Sequence, residues 1–177
     1  MKELTLEVPA EYPLIMLCVA ILSIYVLIMP YFVVIPKRNK IFHPLYMKNF
    51  VLDHIKAFGP SAENPHLLAG FPDQGNGLYA DKLPYKQWYE LNNSIRVHHN
   101  FVESMPQIIC ILLISGLYFP MATLGIAALN CVTRPIYIVQ YLNGGPNKRI
   151  LGAVSGSAPL YALGLATFGK IAYSMMQ

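Results

Sequence analysis

Three ionisable side chains, Arg96, Glu103 and Arg134, lie within stretches otherwise suited to lipid. An ionisable group inside a membrane span costs several kcal/mol unless it is paired or faces a polar cavity. On a helix advancing about 100° per residue, Arg96, Asn100, Glu103 and Gln107 fall within one narrow angular band. His99 sits at the edge of that band and His98 points elsewhere. Asn130, Arg134, Tyr137 and Tyr141 make a second stripe of the same kind. Two such stripes, each on an inward face, offer a cation, an anion, amides and phenols, a set that suits a zwitterionic ligand held between helices. The same residues equally suit an interhelical salt-bridge and hydrogen-bond network, for example Glu103 with Arg134. Periodicity does not separate the two.

Other chemistries fit less well. His98 and His99 are adjacent and cannot share a helix face, and with His43, His54 and His66 there are too few histidines for a membrane di-iron site. HHNFVE is not the HExxH of a zinc protease. No glycine-rich phosphate loop and no Ser-His-Asp constellation is present, so no metal is expected. Cys18, Cys110 and Cys131 are odd in number and scattered through apolar runs, which argues against a disulfide framework. No basic helix or aromatic-interleaved patch points to nucleic acid.

The elements that must position the stripes follow from composition. The chain is 55% hydrophobic and 12% charged, whereas soluble domains carry roughly 25% charged residues. Much of its surface is therefore expected to face lipid. A bilayer core takes about 20 apolar residues as helix, and the 177 residues read as one domain with four such spans, at about 13–35, 88–118, 121–141 and 150–173. Glu3, Glu7 and Glu11 precede the first of them where a cleavable signal would carry positive charge, so it reads as a retained span. Pro30 is expected to kink its last turn. Between the first two spans, residues 37–87 form a long connection punctuated by Gly59-Pro60, Asn64-Pro65, Pro72 and Gly75-Asn76-Gly77. Its aromatic content predicts an ordered cap at the interface, with a short amphipathic helix near 46–58. Nine Lys and Arg residues fall in the first and third connections, against Lys2 and Lys170 on the opposite side. The positive-inside rule then puts both connections in the cytoplasm or the mitochondrial matrix. The fold expected is all-α, an integral membrane four-helix bundle with a long ordered connection.

The segment NNSIRVHHNFVESMP resembles the signature of the MAPEG family, the membrane-associated proteins in eicosanoid and glutathione metabolism. Arg96, His98, Asn100, Glu103 and Pro106 carry that likeness. TRPIYIVQYLNGGPNKR continues it through Arg134, Tyr137, Tyr141 and Arg149, and GLYFP with the closing GGPNKR leans toward the microsomal glutathione transferase branch. The resemblance covers about residues 70–170.

The resemblance implies a four-helix bundle that assembles as a homotrimer and binds glutathione between neighbouring subunits. Arg96, Asn100, Glu103, Arg134, Tyr137 and Tyr141 would hold its carboxylates and amino group, with His98 facing the neighbouring subunit's share. Arg149 would sit near the thiol as the catalytic residue, with Lys148 as the competing choice. The implied activity is a glutathione transferase or peroxidase acting on hydrophobic electrophiles or lipid hydroperoxides, in the endoplasmic reticulum or a mitochondrial membrane. The alternative is a non-catalytic subunit of the same fold, held among unrelated chains of a larger membrane complex. Three departures bear on the choice. Ser104 and Met105 stand where aromatics are common, Pro135 follows Arg134, and Arg38 is only a weak match for an assisting arginine in the first connection.

Overall fold

A computed structural model describes residues 7–61 and 69–176. Glu3, Lys2, Asn64-Pro65 and His66 lie outside the described residues. All regular structure among the described residues is helical, as the apolar runs predict. Helix α1 (Tyr12–Met29) continues through a π-helical turn at Pro30–Val34 into α2 (Ile35–Ile41). The turn is where Pro30 was expected to act. Proline has no N–H to return to the preceding turn, and the N–H of Ile35 reaches back to the carbonyl of Pro30, five residues earlier. The span widens there and stays helical.

The connection holds α3 (Pro44–Met47) and α4 (Val51–Phe58), joined by a 3₁₀ turn at Lys48–Phe50. The amphipathic helix expected near 46–58 is thus two short helices with the 3₁₀ turn between them, and His43, in extended conformation, caps the first and accepts from the Tyr46 N–H. Three long helices follow: α5 (Tyr85–Tyr118), α6 (Pro120–Gly144) and α7 (Ile150–Met175). Among the described residues, Tyr12–Ile41, α5 and α6 are each long and apolar enough to cross a membrane. The protein is a helical membrane protein.

The chain gathers into two compact units, one made of residues up to Leu27 with those from Phe101 onward, the other of Ile28–Asn100. The first is a bundle of α1, the later part of α5, α6 and α7. Its core is Ile15, Leu22, Phe101, Met105, Ile108, Leu112, Ala127, Leu160 and Leu163. Polar contacts stitch helix to helix. Tyr12 Oη donates to the Leu113 carbonyl at 3.1 Å, Tyr25 Oη to the Cys131 carbonyl at 3.2 Å, and Thr167 Oγ1 to Ser115 Oγ at 2.7 Å. Small residues set the distance between α6 and α7. A methyl group at Gly152 would stand 2.9 Å from the backbone of Tyr137, so only glycine permits that approach.

The second unit, the cap, holds the connection and has among its described residues an apolar core of its own. Ile41, Phe42, Met47, Phe50 and Ala80 pack with Leu91 and Ile95 of α5. Tyr46 Oη donates to the Tyr79 carbonyl at 2.6 Å. Burial and the nearby Asp73 carboxylate raise the Tyr46 phenol above its ordinary value, which keeps that donor protonated. Lys37 and Glu90 form an ion pair at 3.0 Å.

Candidate functional site

The stripe on α6 is buried, as expected. Asn130 is fully enclosed and its Nδ2 donates to the Ile126 carbonyl at 2.9 Å and to the Gly156 carbonyl of α7 at 3.2 Å. Arg134 is 8% exposed. Its guanidinium donates to Ser104 Oγ at 3.3 Å and stands 5.3 Å from the centre of the Phe101 ring. Tyr137 packs on Phe101 with ring centres 5.9 Å apart, and on Tyr141 at 5.8 Å. Helix α6 runs unbroken through Pro135 to Gly144, so the stripe keeps its register past the proline.

Gly145 ends α6 with φ near 70°, a conformation that glycine adopts without strain. Its N–H bonds the Tyr141 carbonyl at 2.8 Å. The turn that follows brings Arg149 to the N-terminus of α7, with its guanidinium 5.4 Å from the centre of the Tyr141 ring. Lys148 is exposed and its stem lies against Gly144. Of the two basic candidates, it is Arg149 that meets the aromatic row. Arg134, Phe101, Tyr137, Tyr141 and Arg149 therefore form one continuous ladder with a guanidinium at each end. The N-terminus of α7 adds the positive end of a helix dipole beside Arg149.

The stripe on α5 differs from expectation. Glu103 and Gln107 are exposed, not turned into the bundle, and Arg96 is exposed as well. The reason is register. Phe101, Met105, Ile108 and Leu112 occupy the inward face of α5, and Glu103 stands about 160–200° from Phe101 and Met105 at about 100° per residue. The apolar positions won the core. The pairing of Glu103 with Arg134 does not form: among the described residues the ion pair present is Lys37 with Glu90, and Arg134 turns to Ser104. His98 is half-buried with its ring centre 6.2 Å from that of His99, and Asn100 is half-buried. No cluster of His, Cys, Asp or Glu able to hold a metal occurs among the described residues.

Two residues that reasoning from sequence passed over are central to the ladder. Ser104, noted as a departure, is the hydrogen-bond acceptor of Arg134, and Phe101 is its aromatic face. Their three-residue spacing on α5 was the available signal, since it puts both on one side of the helix.

Arg38 has a different role from assisting arginine. It is 2% exposed and donates to the carbonyls of Asp73 at 2.6 Å and Ala69 at 3.3 Å. Its guanidinium lies 4.0 Å from the centre of the Phe71 ring. The Asp73 carboxylate in turn accepts the N–H groups of Gly75, Gly77 and Ala80 at 2.7, 2.9 and 2.7 Å. Arg38 holds the connection together from within and presents no free cation.

The MAPEG family model matches residues 14–169, which takes in α5 and α6 entire. No solved structure matches significantly.

Proposed function

Because the chain belongs to the MAPEG family, we propose that it is a multi-pass glutathione transferase or glutathione-dependent peroxidase, assembled as a homotrimer, that acts on hydrophobic electrophiles or lipid hydroperoxides. One observation supports this reading above the others. Glu103 is exposed, and without an ion pair among the described residues, on a helix apolar enough to cross a membrane. A carboxylate left against acyl chains costs several kcal/mol, so that surface of α5 calls for a neighbouring subunit and a polar ligand.

In this reading Arg96, Asn100 and Glu103 of α5 and Arg134, Tyr137 and Tyr141 of α6 serve the carboxylates and the amino group of glutathione, with His98 on the subunit boundary. Arg149 serves the sulfur. A free thiol titrates near ~8.5, and a guanidinium beside it at the start of a helix favours the thiolate. The thiolate attacks the electrophilic carbon, the C–S bond forms, and the leaving group departs with its electron pair. With a hydroperoxide the thiolate attacks the terminal oxygen, the O–O bond breaks and the alcohol leaves. A second glutathione then reduces the sulfenic acid to disulfide and water. Substrates arrive from the lipid side, and the endoplasmic reticulum or a mitochondrial membrane supplies them.

The test is binding first and ionisation second. Purified protein in detergent is expected to gain thermal stability with millimolar glutathione, and Arg96→Ala to lose that gain. Arg149→Ala is expected to keep the gain and lose the ultraviolet absorbance of bound thiolate. Wild-type protein with no shift ends the catalytic reading and leaves a family member kept for architecture. Native mass spectrometry checks the trimer.

A further inference from the structure

Helix α4 has no buried residue along its whole length, Val51–Phe58. At about 100° per residue, Val51, Leu52, Ile55 and Phe58 share one face, Lys56 borders it and Asp53 lies opposite. Leu52 and Phe58 are 70% and 72% exposed. The interior of this unit is already filled by Phe42, Met47, Phe50 and their neighbours, so the apolar face of α4 is surplus to it.

Two observations say what covers that face. The core beside α4 includes Ile41, the last residue of a helix long and apolar enough to cross a membrane, and Leu91 and Ile95 near the start of another. The cap is therefore fastened to the ends of two such helices, and a helix of 30 residues that spans the bilayer core ends in the headgroup layer. The charges beside the face are basic, Lys48 just before α4 and Lys56 within it, and both are exposed. Long lysine stems beside an apolar face reach up to headgroups while the face lies below.

We propose that α4 is an interfacial anchor that lies in the headgroup layer of an anionic membrane, with Leu52, Ile55 and Phe58 among the upper acyl carbons. The chain has a single tryptophan, Trp88, so a Trp88→Phe background carrying Phe58→Trp reports on this face alone. In proteoliposomes its emission is expected to be blue-shifted, quenched by lipids brominated near the glycerol end of the acyl chain, and insensitive to acrylamide. Acrylamide quenching with red emission would overturn the assignment, and so would shielding from both quenchers, which means that protein covers the face. Leu52→Trp, on the same face, gives an independent reading where Phe58→Trp folds poorly, as judged by circular dichroism. Lipid quenching is expected to rise when phosphatidylserine is added to phosphatidylcholine, and Lys48→Gln with Lys56→Gln to remove the rise, about fivefold in docked population per lysine. Quenching indifferent to both changes would overturn the anionic preference.

Discussion

Each unit of this molecule is built around a buried arginine, and the two are used in opposite ways. Arg38 gives its hydrogen bonds to backbone carbonyls of the connection, Asp73 and Ala69, and is roofed by Phe71. Arg134 gives one to a side-chain hydroxyl, at 3.3 Å, and rests on Phe101. A carbonyl in a folded loop has no other donor to turn to, whereas a serine hydroxyl rotates. Ser104 already reaches its own helix, at 3.5 Å from the Phe101 carbonyl. The first arginine is committed to the fold. The second rests on a side-chain hydroxyl and an aromatic face.

The same substitution at both positions tests that difference most severely. Arg38→Met orphans two buried carbonyls, each a hydrogen bond to a charged group, and is expected to cost about 3–5 kcal/mol. Thermal unfolding in detergent measures the loss, and limited proteolysis between residues 69 and 83 shows it to be local to the cap. Arg134→Met replaces a buried cation by an apolar chain of similar length, a change often neutral or stabilising. Its expected effect on stability is within about 1 kcal/mol of zero, accompanied by complete loss of stabilisation by glutathione. Equal destabilisation at the two positions would erase the distinction.

Which of these features was legible beforehand depended on the kind of partner involved. The spans were readable because length and apolarity are properties of contiguous residues, and Pro30, Pro120 and the Gly144-Gly145-Pro146 break marked their ends or turns. The row Arg134, Tyr137, Tyr141 was readable because helical periodicity alone puts it on one face. The inward face of α5 is set not by its polar stripe but by Phe101, Met105, Ile108 and Leu112, which compete for the same interior and bury more apolar area. The Arg38 cage was invisible for another reason. Its acceptors are backbone carbonyls 31 and 35 residues away, and a carbonyl carries no mark in the sequence. The Asp73-Gln74-Gly75-Asn76-Gly77 run did carry one, an aspartate ahead of glycines whose N–H groups fold back onto its carboxylate.

Gly152→Ala probes the ladder from behind. The new methyl would meet backbone atoms of Tyr137 rather than a mobile side-chain tip, so α7 must move. Overpacking of this kind costs about 1–3 kcal/mol, offset in part by the better helix propensity of alanine, up to about 1 kcal/mol. The expected result is a modest fall in melting temperature with altered near-ultraviolet circular dichroism from Tyr137 and Tyr141. Proteolysis of the cap is expected to stay unchanged. A change in the cap's susceptibility would mean that the two buried arginines do not report on separable units.

The smallest expected effect is the most discriminating. Ser104→Ala removes the hydroxyl that Arg134 uses, which also reaches the Phe101 carbonyl, and the methyl fits where the hydroxymethyl stood. If Arg134 is loosely held, its guanidinium turns toward water or toward glutathione and the cost is about 0.5–1 kcal/mol, below the usual worth of a charged hydrogen bond. Affinity for glutathione is then unchanged or higher, because the arginine no longer divides its donors between ligand and protein. Calorimetric titration with glutathione in detergent reads both quantities against wild type. A loss of stability as large as that of Arg38→Met would show that Ser104 does for Arg134 what the carbonyls do for Arg38, and that the bundle too is organised around a cation fixed for structure.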